Sequence, residues 1–428
     1  MFQSNYVQKK YLVHFGSSYS KERFLQKIMQ SGEHLIILDD VGIKPENDCF
    51  SEYICVANKE LDEIIKFLED LLSERGAHLK HIFTFAEGSV DSTNSLLRYF
   101  HLHPISEIVE GSLRDKFIAR KRLVEAGYPI GVLAMVTRPA DIPNLNIEQF
   151  PVIVKPTDSM ESRSVYLAQN REELQFACLS ILARPKTYVE TDLGEIVLED
   201  IYGQKCYPLI ESQLKGQKIS VEMVVVKKNI VFACVTRKFD DDNDFFFERA
   251  DIVGGDGTVI PKKSALFQFL ETIVDAHKVF STILHIELFQ VNESKYEVIE
   301  TNFRLGGGFI PDLVEKSFGI DLFKIFLDGI VENRSNEYLD INAISVQSCY
   351  EILSNREGYL HIHGNELCDE RIVWSGKAGE KISKFSTSKF CRVGHVFFRT
   401  ESAEEMHSKL EKAHETEGSL FSIFDSRE

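Results

Sequence analysis

The sequence predicts an α/β chain built of several α+β lobes. Three observations carry that expectation. Apolar runs of strand length alternate with amphipathic helical stretches near the N-terminus, and β-branched hairpin patterns occupy the middle. The length of 428 residues also exceeds what one small core needs.

Taken in order, residues 11–16 and 34–40 read as buried strands with an amphipathic stretch, 20–30, between them. Residues 51–57 form a third strand, 59–75 a long helix and 81–87 a fourth strand. Such βαβ units imply a parallel sheet, hence a Rossmann-like lobe over 1–111. No G-x-G-x-x-G follows the first strand, so dinucleotide binding is not supported. A second segment, 112–209, opens with Ser112 and Asp115 as a capping box, and Gly127 then Pro129 close its helix. Strands follow at 151–156 and 165–168, separated by a polar loop. The third segment, 210–335, contains apolar runs 219–226 and 230–236 flanking the turn-like 227–229. It ends with a hairpin at 285–302, a triple glycine and a helix from Pro311 to about Phe318. The last segment, 336–428, mixes strands with an amphipathic helix near 403–415. The acidic run 240–244 reads as a solvated loop.

The bulk properties exclude several classes. A formal net charge of −17 argues against nucleic acid, which needs a basic surface. No apolar run is long enough for a bilayer and no leader is read at Met1, so a membrane is not expected. Eight cysteines are scattered singly with no C-x-x-C pair, which fits a reduced cytoplasmic enzyme.

The hairpin carries the chemistry. If Glu293-Ser294 is a two-residue turn, Glu287 lies opposite Glu300 and His285 opposite Asn302. All four then project from one face, because side chains alternate along a strand. Facing carboxylates repel, and a hard divalent cation with oxygen ligands offsets that repulsion; Mg²⁺ takes one or two carboxylates plus substrate phosphates. The alternative is a solvent-facing charged hairpin in another register. Arg304, two residues past Asn302, continues the face and suits charge developing in phosphoryl transfer. Gly306-Gly307-Gly308 before a helix offers bare N–H groups to a carboxylate or acyl phosphate, or is simply a flexible turn. Lys155 ends a β-branched strand before Pro156, and Lys116 stands in the first turn of a helix; each alone reads as a surface lysine.

In this order the residues resemble the ATP-grasp superfamily, and more narrowly its carboxylate–amine ligases, which include bacterial amino-acid (dipeptide) ligases. The resemblance rests on Asp115-Lys116, the 151–156 strand, Ser220-Val221-Glu222, His285-Ile286-Glu287, and Glu300 to Arg304 with its glycines. It runs from about Tyr11 to Gly329. It implies an ATP-grasp fold with a Rossmann-like pre-ATP-grasp lobe and a small C-terminal α+β domain. It also implies that Lys116 and Lys155 contact ATP phosphates, with a further contact from Arg237 or Lys238. Glu211, Ser212, Gln213 and Leu214 become the adenine hinge, acting through backbone groups around Gln213 and Leu214. Glu287, Glu300 and Asn302 hold magnesium (or manganese), and Arg304 faces the transferred phosphate. His285 faces the same site.

Two departures stand out. The loop 157–164 lacks the usual glycines, although Ser162, Arg163 and Ser164 still offer phosphate donors. Lys218 stands where relatives commonly carry a glutamate for the ribose hydroxyls. The resemblance implies a ligase that activates a small carboxylate, such as an amino acid, and couples it to an amine. Homodimers are frequent among similar enzymes. Two other readings stay open: a nucleotide-binding protein that has lost catalysis, and a bicarbonate-using carboxylase, although no biotin-attachment segment is visible.

Overall fold

The computed structural model describes residues 9–16, 22–40, 44, 50–57, 59–109, 111–128, 131–158, 164–183, 188–191, 194–197, 206–240, 248–255, 258–331, 337–382 and 391–425. Ser162, with the rest of 159–163, and residues 241–244 of the acidic run lie outside them.

The N-terminal lobe is the expected parallel sheet. Strands Lys10–Phe15, His34–Asp39, Glu52–Cys55 and His78–Phe83 lie in the spatial order third, second, first, fourth. Their runs are apolar because helices Glu22–Gln30 and Leu61–Arg75 supply further apolar side chains to the cores on this sheet. The fourth strand begins at His78 and stops at Phe83, so Glu87 falls beyond it, in a 3₁₀ turn at Glu87–Ser89. That turn delivers Glu87 from the carboxyl end of the parallel sheet, where open α/β sheets place ligands.

A second, antiparallel sheet runs Val132–Met135, Pro208–Ser212, Val152–Pro156, Tyr166–Ala168, and buries Val152, Val154 and Ile210 against helix Arg171–Leu182. The boundary expected at 209/210 therefore cuts through a strand. The helix preceding this sheet is Lys116–Glu125, capped by Asp115 Oδ1 on the Ile118 N–H at 2.8 Å. Ser112 is not the cap: its hydroxyl accepts from the N–H groups of Arg114 and Asp115 and donates to Asp91.

The third sheet has nine strands. It begins with Tyr296–Asn302, Thr282–Gln290, Gln217–Val226, Asn229–Asp240 and Glu248–Val253. It continues through Val346–Ser354, Cys391–Thr400, Glu370–Trp374 and Glu366–Leu367, so the C-terminal segment extends the central sheet across the 335/336 boundary. Glu248–Val253, read from sequence as loop, is one of its inner strands. Ile219, Val221 and Met223 turn one way, into a core with helix Ala265–Ala276. Lys218, Ser220 and Glu222 turn the other way. No helix among the described residues is long and apolar enough to cross a membrane. The seven described cysteines are free.

Candidate active site

The hairpin register places the carboxylates where the spacing predicts. Glu287 pairs with Glu300 and His285 with Asn302. The turn is not the two-residue one expected: Gln290 pairs with Tyr296, and Asn292 Oδ1 accepts from the N–H groups of Ser294 and Lys295. That turn shifts the register by one, and a bulge at Ile299 shifts it back before the site is reached. The bulged carbonyl is used, because Ile299 O accepts from Arg120 Nη2 at 2.6 Å and Lys155 Nζ at 3.4 Å.

The two facing carboxylates are driven apart in acidity. Burial, with Glu87 and Glu287 nearby, lifts the Glu300 carboxyl above its ordinary range despite Lys116. Burial acts the same way on Glu287, but His285 and Lys218 outweigh it and hold Glu287 low. Burial opposes charge on His285 as well, yet Glu222 and Glu287 push its pKa up to about 9. Its Nδ1 lies 2.5 Å from Glu222 Oε1 and its Nε2 lies 3.6 Å from Glu287 Oε1.

The donor set fits a hard divalent cation. Two facing carboxylates and an Asn side chain lie on one face, and burial together with the neighbouring Glu87 and Glu287 disfavours charge on Glu300 even with Lys116 beside it. No group of three His, Cys, Asp or Glu side chains among the described residues converges as a metal cage. A cation held by this set would take further oxygens from outside the chain, as Mg²⁺ commonly does from substrate phosphates.

Four of the cations expected at the phosphates, Lys116, Lys155, Arg304 and Lys238, have internal carboxylate partners. Lys116 Nζ lies 2.7 Å from Glu300 Oε1, and Glu300 with Glu87 keeps it charged against burial. Lys155 Nζ lies 2.5 Å from Glu211 Oε2, while burial, with Arg120 and Lys116 nearby, lowers its pKa. Arg304 Nη2 reaches Glu87 Oε2 at 2.5 Å. Lys238 pairs with Asp251 at 2.6 Å and Glu248 at 2.9 Å. Lys218 also pairs with Glu248 and feels the charge of Glu287, so it faces the carboxylate cluster. Arg237, adjacent to Lys238 and paired with Ile219 and Ile252, lies on the opposite face of the strand.

The hinge differs in detail from expectation. The Glu211 side chain is buried between Arg120 Nε at 2.8 Å and Lys155, which hold its pKa at about 2 although burial alone would raise it. Gln213 and Leu214 follow the end of their strand. A cavity of about 10 Å³ beside them, room for one water, is lined by Leu214, Ser212, Tyr128 and Val298. The glycines lead into helix Ile310–Phe318. Gly306 packs on Glu222, Gly307 is open, and Gly308 has φ +52° with its carbonyl accepting from Arg23 Nη2 at 2.5 Å.

Sequence reading missed Glu87, Arg120 and Arg23. Glu87 and Arg120 each act on a partner about 90 residues away or more, and Arg23 reaches across 285 residues to Gly308. Only the position of Glu87 just past a parallel strand could have flagged it.

Comparison with known proteins identifies one domain and the fold. Residues 148–312 match the family model of the ATP-grasp domain. No curated protein sequence is significantly similar to the chain. Among solved structures, the fold resembles L-amino acid ligase from Bacillus licheniformis, at 16% identity over 98% of this chain and 99% of that one, with a TM-score of 0.72. It also resembles phosphoribosylglycinamide synthetase from Anaerococcus prevotii, at 16% identity over 98% and 100%, TM-score 0.62. A third is the biotin carboxylase domain of 2-oxoglutarate carboxylase from Hydrogenobacter thermophilus, at 15% identity over 97% and 90%, TM-score 0.62. At these identities the likeness is one of fold. Residues 148–312 thus match the ATP-grasp domain, and the chain as a whole shares its fold with these structures.

Proposed function

We propose that the chain is an ADP-forming carboxylate–amine ligase: ATP phosphorylates a small acid, and an amine displaces phosphate from the acyl phosphate to give an amide. The observation that carries this reading is the Glu287–Glu300 pair with Asn302 and Arg304 on one half-buried face, with Lys116 and Lys218 beside it. Activation is needed because a carboxylate is a poor acyl donor and phosphate a good leaving group.

Glu287, Glu300 and Asn302 would hold Mg²⁺, or Mn²⁺, which when bound neutralises charge on the phosphates. Lys116 and Lys155 bind the polyphosphate, releasing Glu300 and Glu211. Lys238 stands across the sheet from them as a further cation. Arg304 stabilises negative charge on the transferred group and on the acyl oxygen. The 306–308 backbone offers N–H groups to the acid. Gln213 and Leu214 hold adenine through their main chain after local opening of the hinge. Arg237, on the far face, takes no direct part. The amine approaches as a neutral nucleophile and loses a proton after attack. We assign the reaction to small-molecule substrates in the cytoplasm.

The test is release of ADP and phosphate from Mg-ATP across a panel of acids and amines, with Glu300→Ala alongside. Release requires both an acid and an amine, and Glu300→Ala lowers it at least 100-fold. Full activity in that variant would sink the metal assignment. Release driven by bicarbonate alone would favour the carboxylase reading, which the biotin carboxylase fold neighbour keeps in view.

A further inference from the structure

We infer that Glu222 is a positioning residue that sets the metal carboxylate Glu287 through His285 and seats the glycine loop at Gly306. The inference rests on the ligase reading, since it takes Glu287 as a metal ligand.

Glu222 is completely buried, an expensive place for a carboxylate without a task. Strand pairing sets it directly beside His285, and Ser220 directly beside Glu287. One oxygen, Oε1, lies 2.5 Å from His285 Nδ1. This contact fixes the ring plane and turns Nε2 toward Glu287 Oε1, 3.6 Å away. Glu287 is therefore steered from beneath by a carboxylate–imidazole chain whose far end never meets substrate. Such outer partners orient the groups that coordinate a metal.

The other oxygen, Oε2, finds no hydrogen-bond donor among the described residues. It lies against the glycine loop: a Cβ at Gly306 would stand 2.8 Å from it. Only glycine allows the loop to descend this far, so one buried side chain touches both the metal carboxylate's support and the proposed anion pocket. Ser220 Oγ and Thr236 Oγ1, on the same face of adjacent strands, are also buried without partners among the described residues. Glu222 therefore stands in a floor whose neighbouring hydroxyls make no hydrogen bond to it. Its place is held by His285 and by packing on Gly306.

The chain of contacts predicts coupling. Glu222→Gln keeps the shape but removes the charge that orients the imidazole, and His285→Gln removes the ring. Mn²⁺ binding to the full-length protein, measured by electron paramagnetic resonance with a non-hydrolysable ATP analogue, reads the metal site without turnover. Each variant weakens Mn²⁺ affinity about 10-fold or more, at a melting temperature close to wild type. The double variant is no worse than the weaker single one, because both act through one chain. Wild-type Mn²⁺ affinity in folded Glu222→Gln, or losses that simply multiply in the double variant, overturns the inference and leaves the ligase reading standing. Should Glu222→Gln fail to fold, unchanged affinity in His285→Gln alone overturns it. Absence of nucleotide-dependent Mn²⁺ binding in the wild type overturns both.

Discussion

Single residues in this chain show how burial decides charge. His14 is wholly buried, and its Nε2 accepts from the Phe85 N–H at 3.2 Å, a role open only to the neutral ring. Burial lowers its pKa to about 3, and does the same for His81 and His277. Below pH 6.5 the unfolded chain takes up protons that the folded one refuses, so stability is present above that pH and lost as the pH falls toward 3. Each such histidine costs about 2–3 kcal/mol by pH 4.5. We predict acid-labile folding, with His14→Gln losing less stability than wild type between pH 6.5 and 4.5 in urea titrations. Glutamine can still accept from Phe85 but has no proton to gain. Parallel pH profiles for the two proteins would remove His14 from the account. Glu211 works at the acid end: its pKa is held at about 2 by Arg120 and Lys155, so its contribution is full above its ordinary carboxylate range and is lost progressively as the pH falls from there toward 2.

Elements were legible where period and local chemistry agree. The N-terminal parallel sheet followed from apolar runs spaced by helices. The 217–226 strand was visible as the apolar run 219–226 ahead of a turn. The Glu287–Glu300 hairpin was read in the correct register for a wrong reason, since its longer turn is compensated by the bulge at Ile299. What stayed hidden is non-local. The strand Glu248–Val253 begins with charges that look like loop until Lys238 is found beside them. Sequence spacing cannot show that Glu222 meets His285, or Arg120 meets Glu211. The other hairpin carries a measurable flaw: Lys227 and Lys228 occupy its two-residue turn with φ of +49° and +71°. That conformation suits Asn-Gly and strains lysine by about 1 kcal/mol per residue. The exposed Lys228–Glu107 pair offsets little of this. Lys227→Asn with Lys228→Gly should therefore raise unfolding stability by about 1 kcal/mol, read by thermal melting; a drop of that size would show that the lysines do more than turn the chain.

At the scale of the whole molecule, the site is closed by its own charges. Glu87 comes from the N-terminal lobe to Arg304, Lys116 comes from the capped helix to Glu300, and Arg114 meets Asp158 just past the strand Val152–Pro156 at 2.7 Å. These pairs are buried enough to resist screening by salt. Glu87 and Glu300 occupy cations that the ligase reading gives to phosphate, so nucleotide binding is an exchange of partners. Metal-free nucleotide would set Glu300 and Glu287 against a polyphosphate with nothing between them. With Mg²⁺ present, the displaced carboxylate becomes a ligand and the repulsion becomes attraction. Wild-type protein should then bind a non-hydrolysable ATP analogue at least 10-fold more tightly with Mg²⁺ than without, a difference of about 1.4 kcal/mol or more. Glu300→Ala reverses both halves of the balance. It frees Lys116 and removes one repulsive charge, so metal-free affinity rises, while loss of a ligand shrinks the Mg²⁺ dependence. Calorimetric titrations of both proteins, with and without Mg²⁺, measure all four affinities. If Glu300→Ala binds metal-free nucleotide more weakly than wild type, Glu300 is not a placeholder for phosphate at Lys116, and the pair serves folding alone.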